Sequence, residues 1–237
     1  MTAQGGYTRL VHAKTLDHVA VWTPDRHALA DVLVGCCAMH EIERTDEFTL
    51  VGGDARRGKL TLFDAEGVRE RGSLERVVLR VPDVDDTRDR LEAAGLDVSD
   101  DHGMPTVEAP SGLSLALVEA DETRIADLDT VVLRVHDPGA AAGELEAMGL
   151  ERAGDDLRVA DKRVVLRGGG GPEPERPLLN HLAFLVDQAD EVEDEARERG
   201  LEIDKVVDAE NTRAVFVWGP ERIKLEYVEH KPGFSLV

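Results

Sequence analysis

The sequence is poor in aromatic residues, in cysteine and in positive charge, and each shortage narrows what the protein can be. Phe, Tyr and Trp make up 4% of its 237 residues, and 28 Lys and Arg face 49 Asp and Glu, a net charge of −21. Such a charge repels nucleic acids and anionic membranes, so we expect neither as a partner. Carboxylates spread along the whole chain are typical of a salt-loving organism, with an ordinary acidic enzyme as the alternative interpretation.

Long apolar runs are also missing. No stretch approaches the roughly 20 residues of a membrane span, and the N-terminal extension, residues 1–15, contains no apolar core of a signal peptide. The only cysteines, Cys36 and Cys37, are adjacent in an apolar stretch, where we expect buried thiols in a reducing compartment. Together with 42% hydrophobic residues, these features predict a globular cytoplasmic protein.

A four-fold internal repeat organises the chain. Each unit opens with an alternating, β-branched run that predicts a strand. The four runs are LDHVAVWTPD from Leu16, LERVVLRVPD from Leu74, LDTVVLRVHD from Leu128 and LNHLAFLVDQ from Leu179. A stretch of helical period follows each run and closes on a glycine, successively Gly35, Gly95, Gly149 and Gly200.

Three short strand-like runs complete each unit, most clearly LEIDKVV, TRAVFVW and RIKLEYV in the last. The predicted modules are residues 16–66, 74–120, 128–168 and 179–229, followed by a C-terminal tail, 230–237. A flexible and then stiff linker, GGGGPEPERP, precedes the fourth module. The predicted fold class is α+β, built from four βαβββ modules.

This plan resembles the vicinal-oxygen-chelate superfamily, which includes glyoxalases, bleomycin-resistance proteins and extradiol dioxygenases. The resemblance covers nearly the whole chain and rests on the repeat and the strand-start motifs. It implies that pairs of modules place curved mixed sheets side by side around a cleft, so that four modules form two clefts. It also implies that metal ligands come from the third residue of an opening motif and from the middle of a closing strand.

Ligand-type residues occupy these positions only in the outer modules. The opening-motif positions hold His18, Arg76, Thr130 and His181. The closing-strand positions, aligned on RIKLEYV, hold Phe63, Ala116, Arg167 and Glu226. If neighbouring modules pair, His18 is separated from His181 and Glu226. We predict instead that the first module pairs with the fourth and the second with the third, so that two histidines and one carboxylate meet in one cleft. A subset of hydroquinone-cleaving dioxygenases similarly takes ligands from its first and last modules.

Strand alternation supports a common orientation of the two histidines. Leu16, His18, Ala20 and Trp22 fall on one face of their strand, and Leu179, His181, Ala183 and Leu185 on one face of theirs. Taken singly, each histidine has a structural alternative as a hydrogen-bonded strand residue, and Glu226 has one as a surface carboxylate or salt-bridge partner. The interpretation as ligands depends on the three sharing matching repeat positions.

Two imidazoles and one carboxylate are the facial triad of non-haem Fe(II) oxygenases. The predicted function is therefore extradiol-type cleavage of a catechol- or hydroquinone-like small molecule. Fe(II) is the expected metal, with Mn, Zn, Ni or Co as alternatives. A non-redox isomerase or lyase of the glyoxalase type and a metal-free binding protein remain open, as do a monomer and a homodimer. Arg213, Lys224 and His230 are weaker candidates for a catalytic role.

The inner modules carry arginine instead. Arg76, Arg80, Arg134 and Arg167 fall on the face that would line the second cleft, where they could bind an anionic ligand. The alternative is that nearby carboxylates neutralise them.

Overall fold

The computed structural model describes residues 13–122 and 124–234, so residues 1–12 of the predicted N-terminal extension and 235–237 of the predicted tail lie outside it. Four successive modules each contain one strand, one helix and three further strands, which confirms the predicted α+β fold. The first comprises β1 (Thr15–Thr23), α1 (Arg26–Cys36), β2 (His40–Arg44), β3 (Phe48–Gly52) and β4 (Lys59–Asp64). The second comprises β5 (Leu74–Val81), α2 (Val84–Ala93), β6 (Val98–Asp101), β7 (Met104–Glu108) and β8 (Ser114–Glu119).

The third module comprises β9 (Asp127–Arg134), α3 (Pro138–Ala147), β10 (Glu151–Ala153), β11 (Asp156–Val159) and β12 (Lys162–Arg167). The fourth comprises β13 (Leu179–Leu185), α4 (Ala189–Glu198), β14 (Ile203–Asp208), β15 (Thr212–Trp218) and β16 (Lys224–His230). No helix in residues 13–122 and 124–234 is long and apolar enough to span a membrane.

The strands form two eight-stranded mixed sheets. The first and fourth modules form the outer sheet, in the order β14-β15-β16-β13-β1-β4-β3-β2. The second and third form the inner sheet, in the order β10-β11-β12-β9-β5-β8-β7-β6. At the centre of each, the opening strands of two modules pair antiparallel, β1 with β13 and β5 with β9. The two ends of the chain therefore share one sheet.

The helix ends follow local sequence signals. Asp25, Asp83 and Asp137 each precede a helix and accept a hydrogen bond from a backbone N–H of its first turn. Gly95, Gly149 and Gly200 adopt positive φ just after the later helices, a conformation that glycine adopts without strain. Gly35 does not end α1, which continues to Cys36; there Ala38, at φ 55°, takes the left-handed position.

A continuous hydrophobic core joins both sheets and all four helices. It includes Leu16, Val19 and Val21 of β1 and the buried thiols of Cys36 and Cys37, which form no disulfide. The opposite face of the outer sheet carries a separate, smaller cluster of buried apolar residues, Ala214, Phe216 and Val228. The core therefore occupies one face of the outer sheet and leaves the other available for a site.

A β-bulge interrupts the opening strand of every module. The strand register skips Asp17 and Asn180 in the outer sheet, and Glu75 and Asp129 in the inner sheet. An extra residue reverses side-chain alternation beyond it. Leu16 and Leu179 consequently point into the core, so the predicted common face of Leu16 with His18, and of Leu179 with His181, is wrong for the two leucines.

A buried ion pair ties the inner sheet to the loop before β4. Asp127 accepts hydrogen bonds from Lys162 Nζ at 2.8 Å and from the Gly58 backbone N–H at 2.6 Å. Both charged side chains are about 95% buried. Removing one partner of such a pair leaves a buried charge uncompensated.

We expect Asp127→Ala to lower the free energy of unfolding by about 3–5 kcal/mol, measured by urea denaturation. Asp187→Ala is the matched control, because Asp187 pairs with Lys14 at the surface, and its loss should cost about 1 kcal/mol or less. Equal destabilisation by the two variants would contradict this assignment.

Candidate metal centre

His18, His181 and Glu226 meet on the face of the outer sheet opposite the core. They belong to three neighbouring strands, β1, β13 and β16. Strand register places Glu226 beside Ala183 and Ala183 beside His18, so Glu226 and His18 lie in one row across the sheet. His181 is opposite Ala20. The pairing of the two chain ends thus brings together residues 163 positions apart.

The three candidate ligand atoms form a small triangle. The two Nε2 atoms of His18 and His181 are 3.0 Å apart, and Glu226 Oε2 lies 3.2 Å from the first and 2.7 Å from the second. Ligand atoms that share a metal at bond lengths of about 2.1 Å and at right angles are separated by about 3.0 Å. This donor set therefore fits a divalent metal ion held on one face.

The Nδ1 atom of each histidine is hydrogen-bonded to the side chain of the bulge residue before it. His18 Nδ1 lies 2.9 Å from Asp17 Oδ2, and His181 Nδ1 lies 3.0 Å from Asn180 Oδ1. An oxygen acceptor at Nδ1 keeps the proton there and leaves Nε2 free as a ligand. The two bulges thus orient both imidazoles.

Electrostatics within the triangle favour a bound cation. Burial opposes ionisation of Glu226, but the two histidines outweigh it and lower its pKa to about 2. Burial alone would lower the pKa of His18, yet Glu226 and Asp17 raise it to about 9. Burial lowers the pKa of His181, which keeps that imidazole neutral near pH 7. The cluster therefore consists of an ionised Glu226, a neutral His181 and a protonated His18. A bound metal ion can replace the proton of His18 and supply the positive charge in its place.

Asp17 connects the centre to further charged groups. Its buried carboxylate accepts a hydrogen bond from Lys59 Nζ at 2.9 Å, and His230 Nε2 lies 3.5 Å from it. Burial opposes ionisation of Asp17, but Lys59 and His18 lower its pKa below the usual range. His18 thus has a fully charged acceptor, whereas His181 has the neutral amide of Asn180.

A cavity of about 680 Å³ opens in front of the three candidate ligands. Four of the five phenylalanines line it, namely Phe48, Phe63, Phe216 and Phe234. Both tryptophans, Trp22 and Trp218, line a second cavity of about 350 Å³, and Trp22 contacts Phe63 with ring centres 5.4 Å apart. The sequence contains no aromatic residue between Phe63 and Phe184, the stretch that includes the whole inner sheet. The scarce aromatic side chains are thus concentrated around the candidate centre.

The structure separates the three weaker catalytic candidates. His230 lines the 680 Å³ cavity and stacks on Phe234 with ring centres 3.7 Å apart. Arg213 instead pairs with Glu193 and Asp190 of α4 on the other face of the sheet. Lys224 pairs with Asp204 at 2.8 Å and lines the 350 Å³ cavity, not the cavity in front of the three candidate ligands.

The four inner-sheet arginines all contact carboxylates of the chain. Arg76 pairs with Asp101 at 2.6 Å, Arg80 with Asp129 at 2.8 Å, and Arg134 and Arg167 with Glu75, each at 2.6 Å. Their charge is therefore balanced internally, as the alternative interpretation holds. An anionic ligand would have to displace one of these carboxylates.

Strand register also corrects the alignment of the closing strands. Glu226 pairs with the second residue after His181, and the residue in that position of the first module is Thr61, not Phe63. In the third module it is Val165, not Arg167. Thr61 is thus the first-module residue equivalent to Glu226. The alignment of the closing strands from sequence motifs is therefore two residues out of register in the first and third modules. Comparison of motifs does not reveal this shift.

Two residues that contribute to this region were not singled out from the sequence. Lys59 supports Asp17, and Lys205 lies above the Phe216 ring in the cavity. A lysine at the start of a buried strand was the available signal for Lys59. The position of Lys205 follows a shift of strand register between Ile203 and Lys205 in β14, for which the sequence offers no signal.

We expect His18→Ala and His181→Ala to abolish metal binding equally, because each removes one of three ligands. The measurement is titration of the metal-free protein with Co(II), followed by its visible absorption. His136→Ala, at an exposed histidine, is the control and should bind as the unmodified protein does. Full metal occupancy in the His18 variant would disprove the shared site.

Asp17→Asn should weaken metal binding about 10- to 100-fold, because it removes the charged acceptor that orients His18. Competition with a chelator of known affinity measures this change. Asn180→Asp supplies the matched reverse substitution and should not weaken binding. An unchanged affinity in Asp17→Asn would contradict the orienting role.

Comparison with solved structures identifies this architecture. A "putative dioxygenase" from Bacillus subtilis subsp. subtilis str. 168 superimposes with a TM-score of 0.76 at 19% identity, covering 94% of this chain and 87% of that one. A Zea mays glyoxalase I mutant gives 0.73 at 17% identity, with coverages of 92% and 94%. The cppA protein of Streptococcus pneumoniae TIGR4 gives 0.61 at 12% identity, covering 94% and 99%.

Sequence comparison adds nothing further: no protein-family model matches the chain, and no curated protein matches it. At such low identity the structural likenesses show the fold alone. The chain has the fold of the vicinal-oxygen-chelate superfamily.

Proposed function

We propose that this protein is an Fe(II)-dependent extradiol-type dioxygenase that cleaves a catechol- or hydroquinone-like ring. The observation that carries the proposal is the position of the His18, His181 and Glu226 triangle at the wall of an aromatic-lined cavity. Two imidazoles and a carboxylate leave several metal positions open. When bound there, Fe(II) supplies a Lewis acid for a phenolic oxygen and an electron donor for O₂.

The chain's own residues provide the binding surface. Phe216 meets His181 edge to face with ring centres 5.2 Å apart, and Phe63 lies 6.3 Å from the same imidazole. These rings offer a planar substrate offset-stacked and edge-on contacts beside the ligands. They also exclude water from that side of the centre, which strengthens electrostatic interactions there.

His230 is the group that we assign to proton transfer. It lines the same cavity, and burial lowers its pKa. Its imidazole is therefore neutral near pH 7 and able to accept a proton from a substrate hydroxyl at a ring nitrogen. Asp17, 3.5 Å from Nε2, stabilises the resulting imidazolium.

Thr61 favours this reaction over the four-ligand, glyoxalase-type alternative. Its hydroxyl is a weaker metal ligand than a carboxylate or an imidazole, so the chain offers three strong ligands and not four. The same three residues fit Mn, Zn, Ni or Co as well, and the identity of the metal is part of the proposal.

The test is oxygen uptake by protein reconstituted anaerobically with Fe(II), Mn(II), Zn(II), Ni(II) or Co(II) and then given catechol or hydroquinone. We expect substrate loss coupled to O₂ consumption with Fe(II), and none in His181→Ala. His136→Ala should retain the activity. Oxygen-independent turnover with Zn(II) would indicate an isomerase or lyase, and ligand binding without any metal would indicate a binding protein.

A further inference from the structure

The lysines of this protein are nearly all neutralised by ion pairs. All six lie in the described part of the chain, and five contact an aspartate there. The pairs are Lys14–Asp187, Lys59–Asp17, Lys162–Asp127, Lys224–Asp204 and Lys231–Asp208. With 49 acidic residues in the sequence, a lysine without a carboxylate partner needs an explanation.

Lys205 is that lysine. Within residues 13–122 and 124–234, no carboxylate oxygen lies within 4.0 Å of its ammonium group. The aspartates nearest to it along β14 are engaged elsewhere: Asp204 with Lys224, and Asp208 with Lys231 and Arg213. Its Nζ instead lies 4.6 Å from the centre of the Phe216 ring, a cation–π arrangement.

The position of Lys205 relates it directly to the candidate centre. Strand register places Lys205 beside Phe216, and Phe216 beside Glu226. The backbones of Lys205 and Glu226 are therefore two strand spacings apart, about 10 Å. Phe216 fills the interval and contacts His181 on its other side at 5.2 Å. The ammonium and the three ligands thus face the same cavity with one aromatic ring between them.

The charge of the cavity walls differs from side to side. Glu43 and Glu47 line the wall formed by the first module, whereas Lys205 lines the wall formed by the fourth. Glu210, in the turn after β14, also lines the cavity and makes no ion pair with Lys205. An anionic group entering this cavity is therefore repelled by Glu43, Glu47 and Glu210. Lys59 also lines the cavity but is neutralised by Asp17, so Lys205 is the lysine of the wall that attracts such a group.

We propose that Lys205 binds an anionic substituent of the aromatic substrate, so that the natural substrate is a dihydroxylated aromatic acid and not a neutral diol. The inference rests on the proposed function in placing an aromatic ring beside His18, His181 and Glu226. Lys205 then holds the far side of that ring. Lys205 is an exposed residue of the cavity wall. A carboxylate at this point gains a charge-assisted hydrogen bond and fixes which ring edge faces the candidate ligands.

The test compares charged and neutral probes by isothermal titration calorimetry near pH 7. The acids are 3,4-dihydroxybenzoate and 2,5-dihydroxybenzoate, and the neutral probes are their amides. The unmodified protein, metal-free and Zn(II)-loaded, should bind at least one acid about tenfold or more tightly than its amide, the effect of one charge-assisted hydrogen bond.

Three variants test whether Lys205 causes the tighter binding of the acid. Lys205→Met should remove it by weakening the acid alone, and Lys205→Arg should retain most of it. Lys14→Met makes the same charge change at a surface lysine outside the cavity and should leave the preference intact. Equal binding of acid and amide, no binding of either, or a preference that survives in Lys205→Met would overturn the inference.

The two proposals fail separately. If the protein is not a dioxygenase, oxygen uptake is absent while the preference for the acid persists in the metal-free protein. If Lys205 does not bind the substrate, the preference is absent whether or not oxygen is consumed.

Discussion

The antiparallel pairing of β1 with β13 is the contact on which the candidate site depends. It joins the first and last modules in one sheet and leaves the middle two to form the other. His18 and His181 come from these two strands, and Glu226 comes from the strand next to β13. Pairing of consecutive modules would separate His18 from the other two ligands. The chain thus closes a long loop, which costs conformational entropy that grows only slowly with loop length.

The bulges make this pairing chemically useful. An ideal strand would place Asp17 and His18 on opposite faces, with the carboxylate directed into the core. The extra residue instead keeps Asp17 beside the imidazole that follows it, and Asn180 does the same for His181. Asp129 repeats the contact in the inner sheet, where it accepts a hydrogen bond from the Thr130 hydroxyl. In three of the four modules the bulge residue therefore aligns the side chain that follows it.

Much of the fold was predictable because the signals are local and repeated. Strand-start motifs, stretches of helical period and glycines near the helix ends recur four times. A weak signal in one module can therefore be interpreted by comparison with the same position in the other three. The histidines and Glu226 were identifiable for the same reason. Other features were not predictable from local patterns. The orientation of Leu16 depends on a bulge, and the equivalence of Thr61 with Glu226 depends on strand register. The left-handed conformation of Ala38 depends on the length of the loop after α1. The free charge of Lys205 depends on which aspartates fold against which lysines, a tertiary property that no local pattern contains.

The inner sheet shows how little of the candidate function follows from the fold. It has the same strand order, the same bulges and equivalent positions, yet Arg76 and Thr130 stand where the outer sheet has histidines. Its bulge residue Glu75 neutralises two arginines. Aromatic residues are absent from this part of the sequence. The same arrangement of strands therefore carries ion-paired arginines in the inner sheet and the His18, His181 and Glu226 triangle in the outer sheet. The proposal of catalysis depends on these side chains and not on the fold.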